Sequence, residues 1–131
     1  MARVIELALE AARMKSWPHQ LVDGDVKVEI PTDSGRSQVV VVTTGTDGDG
    51  EPVGFVWSKA GEIGKQDSLA LLGMNAQLTY AKIAVRGQDI VLVHGIHDAT
   101  ATLIGVGKSL YWTAKGADEL ETTLNGTADR L

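Results

Sequence analysis

Between Val26 and Ser58 the chain is patterned for β-strands, and on either side of that block its apolar residues fall at helical spacing. This switch of period constrains the fold before any motif does. A strand presents every second side chain to a core, whereas a helix presents a stripe at every third or fourth. Val26, Val28 and Ile30 alternate with Lys27 and Glu29, the period of a half-buried strand, and Asp23-Gly24-Asp25 ahead of them is turn chemistry. Ser37–Thr44 holds four consecutive valines, which predicts a strand near the sheet's centre covered on both faces. The segment Thr46–Glu51, TDGDGE, is the strongest turn signal in the chain. After it, Val53, Phe55 and Trp57 share one face of a third strand, with Phe55 and Trp57 expected beneath a helix.

The helical flanks are as legible. Over residues 2–16, Val4, Leu7, Ala11 and Met14 recur at a 3-4-3 spacing, and Pro18 should stop that helix at Trp17. Asp67 or Ser68 can cap a short helix over Leu69–Ala76. Leu69, Leu72 and Ala76 lie on one of its sides; Leu71, Met74 and Leu78 lie on another. A helix with almost no polar face has to be covered twice, once by the sheet and once by another helix or a second subunit. Leu71, Met74 and Leu78 are the expected homodimer contact. Tyr80–Val85 and Asp89–Ile96 read as a hairpin across Arg86-Gly87-Gln88. Leu103, Val106, Leu110, Ala114, Ala117, Leu120 and Leu124 form a last helical stripe. The expected order is α-β-β-β-α-β-β-α, one α+β domain over residues 1–131 with an antiparallel sheet.

Composition narrows the function. Seventeen acids against twelve bases give a net charge of −5, and the basic residues are scattered singly, so no phosphate-binding surface is expected and nucleic acid is an unsuitable partner. With no cysteine, disulfide scaffolds and thiolate metal sites are excluded. Arg3, Glu6, Glu10 and Arg13 interrupt the first fourteen residues, and no run approaches the length of a membrane span, so the expectation is cytoplasmic, with no membrane partner.

Three motifs invite chemistry. His94-Gly95-Ile96-His97-Asp98 offers two imidazoles and a carboxylate, the raw material of a metal site or an acid–base pair. Residues i and i+3 of a strand point to opposite faces, however, so the histidines share an ion only if the strand ends near Gly95. Gly105-Val106-Gly107-Lys108-Ser109 imitates the end of a phosphate loop, but Thr102 stands where that loop needs its first glycine. Asp47-Gly48-Asp49-Gly50-Glu51 has calcium-like spacing, yet its flanks are strands and its ligand series stops short. No cofactor or metal is expected, and no catalytic residue. Asn75, a polar side chain on an apolar helix, is expected to satisfy a nearby backbone group.

The element order, Leu71-Leu72-Gly73-Met74-Asn75-Ala76, the hairpin Ala81–Val93 and Ala117-Asp118-Glu119-Leu120-Glu121 together resemble the type III secretion chaperone-like superfamily, particularly its YbjN-type branch. That resemblance implies a five-stranded antiparallel sheet with helices on one face, frequent homodimers, and non-enzymatic binding of extended protein segments. Gly105, Gly107 and Gly116 depart from it, each costing a helix interior about 1 kcal/mol relative to alanine. The last helix is therefore expected to begin only after Gly107. Adjacent residues of a helix diverge by about 100°, so Tyr111 and Trp112 cannot both face the sheet. They are the expected partner-binding residues. The reading is a chaperone-like, protein- or peptide-binding homodimer; the alternative is a small enzyme or metal-binding protein built on His94, His97 and Asp98.

Overall fold

The structure is a computed structural model and describes residues 1–33 and 35–126. Its elements are α1 (Arg3–Met14), β1 (His19–Val22), β2 (Asp25–Asp33), β3 (Arg36–Thr46), β4 (Pro52–Glu62), α2 (Ser68–Asn75), β5 (Lys82–Arg86), β6 (Asp89–His97), a 3-10 turn over Asp98–Thr100, and α3 (Leu103–Gly126). The strands make one antiparallel sheet in the order β1-β2-β3-β4-β6-β5. Six strands in the order α-β-β-β-β-α-β-β-α replace the expected five. The additional strand is β1, whose four residues are all exposed, so it has no buried period to detect. Its trace was in the turn. Asp23 (φ 52°) and Gly24 (φ 86°) are both left-handed, as a two-residue type I′ hairpin requires, and they pair Val22 with Asp25.

α1 and α3 lie on the same face of the sheet. Beneath them Val26, Val28 and Ile30 of β2, Val40 and Val42 of β3 and Val56 of β4 meet Val4, Ile5 and Ala8 of α1 and Val106, Leu110 and Ala114 of α3. Each valine, leucine or isoleucine so buried contributes about 1.5–3 kcal/mol. A second, smaller cluster forms where Ala60, Ile90 and Leu92 meet Ala117, Leu120 and Leu124.

With both long helices on one face, the opposite face is open, and two expectations are corrected. β3 does lie inside the sheet, but only Gln38, Val40 and Val42 are covered, while Val39 is exposed and Val41 half-buried. Val41 pairs with Trp57 and Thr43 with Phe55, so these two rings sit on the open face and not under a helix. At Gly54, on the helix-facing side of β4, α1 comes so close that an added Cβ would stand 2.5 Å from a methyl of Val4.

α3 also differs from expectation, running unbroken from Leu103 through Gly105, Gly107 and Gly116. Contact explains one of these glycines. A Cβ at Gly116 would lie 2.7 Å from Leu92, whereas one at Gly107 would meet Ala11 of α1 at an ordinary 3.9 Å. At Gly116 the helix gives up local propensity for close packing against the sheet.

α2 is held at its ends. Asp67 accepts from the N–H groups of Leu69 and Ala70 at 2.9 and 3.3 Å. At the other end the amide of Asn75 meets β5 twice. Its Oδ1 accepts from Ile83 N–H at 2.6 Å, and its Nδ2 donates to the Ile83 carbonyl at 3.3 Å. Lys82 Nζ donates to the Asn75 carbonyl at 3.0 Å. Asn75→Ala should therefore lower stability by about 1–2 kcal/mol, read by urea denaturation, because it strands two part-buried backbone groups.

Candidate functional site

α1 ends in a Schellman-type reversal that sets one wall of a groove. Ser16 takes φ 57°, and Trp17 N–H returns to the Ala12 carbonyl at 2.9 Å. The helix therefore stops at Met14, short of the expected Trp17, and the indole of Trp17 folds back into the core beside Ala11. On α3, one turn after another presents Leu103 and Ile104, then Gly107 and Lys108, then Tyr111 and Trp112. Between these walls lies a groove of about 590 Å³, lined by Ala11, Met14, Lys15, Trp17, Leu103, Ile104, Gly107, Lys108, Tyr111 and Trp112. Its floor is packed into the core through Trp17, Leu103 and Tyr111, while Ile104 is 74 % exposed and Trp112 48 % exposed.

Tyr111 and Trp112, the expected partner residues, both line this groove and stack edge to face with ring centres 5.1 Å apart. The divergence of adjacent helical residues is visible in their burial: Tyr111 leans on the core and Trp112 stands into solvent. Sequence reasoning missed Met14, Trp17, Leu103 and Ile104 as members. They come from segments about ninety residues apart, brought together only by helix packing. One signal was present: Ile104 lies outside the buried stripe of α3.

Leu71, Met74 and Leu78, expected at a dimer contact, pack partly buried against the second cluster of their own chain. The side chains that α2 turns outward are Leu69 and Leu72, 79 % and 62 % exposed.

His94, His97 and Asp98 do not converge. The His94 side chain lies on the helix-covered face, its Nδ1 2.7 Å from Ser109 Oγ and its ring edge-on to Tyr80 at 6.0 Å. The His97 side chain lies on the open face, where its Nε2 is 2.5 Å from a carboxylate oxygen of Glu51. Asp98 accepts from Val4 N–H at 2.9 Å and Arg3 N–H at 3.3 Å. It thereby satisfies the first turn of α1, which has no side-chain cap from Ala2. Asp47, Glu51 and His97 offer ligand atoms within 4.8 Å of one another at the surface, with Asp47 Oδ1 already accepting from the N–H groups of Asp49 and Glu51 at 2.9 Å. Three neighbours in sequence thus have three separate structural roles.

Burial pushes the His94 imidazole below its ordinary value, because desolvation disfavours the charged ring. The unfolded chain then binds a proton that the folded chain resists, so this histidine makes stability fall as pH drops below the unfolded value of about 6.5. Denaturation midpoints taken between pH 7.5 and 5 should decline in the wild type. In His94→Gln the decline should be shallower.

On the open face Arg86 lies over the Trp57 ring at 4.1 Å, a cation–π contact. Around it Thr43, Phe55, Val91 and Val93 form a shallow apolar depression. No helix among the described residues is long and apolar enough to cross a membrane. No family model matches the chain, and a search of the curated proteins finds no match.

Proposed function

We propose that this chain is a non-enzymatic, chaperone-like binding module that docks an apolar segment of another protein in the groove between α1 and α3, and that it works as a homodimer. One observation carries the reading. An exposed tryptophan and an exposed isoleucine stand at the rim of a pocket whose floor belongs to the core. Isolated apolar residues on a surface are ordinary, but a contiguous set around a concavity, with a large ring half out of solvent, is the pattern of an interface anchor. The volume suits a few side chains of a partner, not a whole domain. The competing enzymatic reading on His94, His97 and Asp98 lacks a point at which its three groups meet.

The test is a photo-crosslinking residue at position 104, with a second at Leu21 on the far edge of the sheet as control. Adducts formed in the native cell at 104 and absent at 21 support the groove. The same adducts from both positions, or none from 104, overturn it.

The dimer is proposed through α2, whose outward leucines extend the apolar surface already built by Leu71, Met74 and Leu78. Met74 faces its own chain, so a charge there would disturb folding as well as association. Leu72→Glu is the cleaner variant. Light scattering should show it shifting from dimer to monomer while it keeps a cooperative melting transition, at a temperature lowered only by the lost association; a wild-type monomer at micromolar concentration would remove the dimer from the proposal.

A further inference from the structure

We infer that the occupant of the α1/α3 groove is an amphipathic helix whose apolar face is flanked by acidic side chains. This rests on the reading of the groove as a protein-docking site and deepens it by fixing the partner's conformation and charge.

The conformation follows from what the walls lack. The walls are largely helical, and apart from the last carbonyls of α1 and the first N–H groups of α3 their backbone groups bond along their own helices. Among the described residues the lining therefore offers apolar side chains and few unpaired main-chain groups. An extended segment laid there would bury N–H and C=O groups with no partner, at a cost comparable to the hydrogen bonds it forgoes. A helix brings its own main-chain bonds and presents only side chains, at the i, i+3, i+4 and i+7 spacing that fits a groove between two helices.

The charge follows from the rim. Lys15 at the end of α1 and Lys108 on α3 are the only charged residues lining the groove among those described. Both are exposed, and neither ammonium has an ion-pair or hydrogen-bond partner among the described residues. This is against the grain of the molecule, whose acids outnumber its bases seventeen to twelve. Two free cations around an apolar floor on an acidic protein complement an acidic flank and reject a basic one.

The experiment uses the full chain and a set of stapled fourteen-residue helices, each with Leu and Phe on one face. The flanking positions carry Glu in one probe, Gln in the second and Lys in the third. Binding is read by fluorescence anisotropy, with dodecanoate as a competing small amphiphile. The Glu helix should bind best, and the Lys helix about tenfold more weakly, given two exposed ion pairs turned into repulsions. In a Lys15→Glu, Lys108→Glu variant that order should reverse. Equal binding of the three helices, all lost in Ile104→Asp, overturns this inference and leaves the docking groove standing. Displacement of nothing by dodecanoate supports it, whereas tight dodecanoate binding with no helix bound overturns both the inference and the protein-docking reading. Binding that survives Ile104→Asp also overturns both.

Discussion

A valine at position 54 should destabilise this protein by about 3 kcal/mol, the upper end of what overpacking a core costs. Gly54 sits on the helix-facing side of β4, where an added Cβ would come within 2.5 Å of one carbon of Val4 and 2.9 Å of its Cβ. Val4 has nowhere to retreat, being fully buried and branched at Cβ with its χ1 fixed by the helix. The whole of α1 must therefore shift from the sheet, carrying Met14 and Trp17 away from the groove. Urea denaturation should show the loss, and groove binding should fall with it. Gly48 is the control, since a Cβ there meets nothing within 4 Å; Gly48→Ala should stay within about 0.5 kcal/mol of wild type. If Gly54→Val melts like the wild type, α1 is not packed on β4 as described.

Trp112→Ala should do the reverse, leaving the fold and removing the binding. A central aromatic anchor is worth about 2 kcal/mol or more to an interface, which is roughly a thirtyfold loss of affinity. Because nearly half of the residue is already in water, its truncation should lower stability by only about 1–2 kcal/mol, well short of a core aromatic. The measurement is affinity for the partner captured at position 104, set beside a thermal melt of the same sample. A variant that binds as tightly as the wild type would move the anchor elsewhere in the groove. The two substitutions together separate what holds the fold from what the fold presents.

Much of this architecture was legible, and the failures have physical causes. The period of two in β2 and the stripe of α3 are visible because burial on one face forces them, and their residues are where the pattern puts them. β1 is not visible because nothing on it is buried. The valine run of β3 misled because β-branched residues suit strands whether or not a face is covered; Val39 is exposed all the same. Phe55 and Trp57 misled for a related reason, since the largest apolar side chains of β4 lie opposite its packed face. Gly116 of α3 looks like a break until Leu92 is seen pressing against it. Of the groove, only Tyr111 and Trp112 could be named from the chain. The other half comes from α1, and no local pattern links residues 14 and 104.

Every open sheet has two edges, and an edge is a row of unpaired peptide groups that another molecule can extend. At one end β1 is only four residues long. At the other, the amide of Asn75 occupies both main-chain groups of Ile83, the N–H and the C=O that an incoming strand would use. A primary amide has the same donor and acceptor as a peptide, so Asn75 acts as a single residue of a seventh strand that cannot be continued. Losing it would cost more than the anchorage of α2. It would open β5 to pairing between molecules, and the same substitution that softens the monomer would start it on the way to fibrous aggregation.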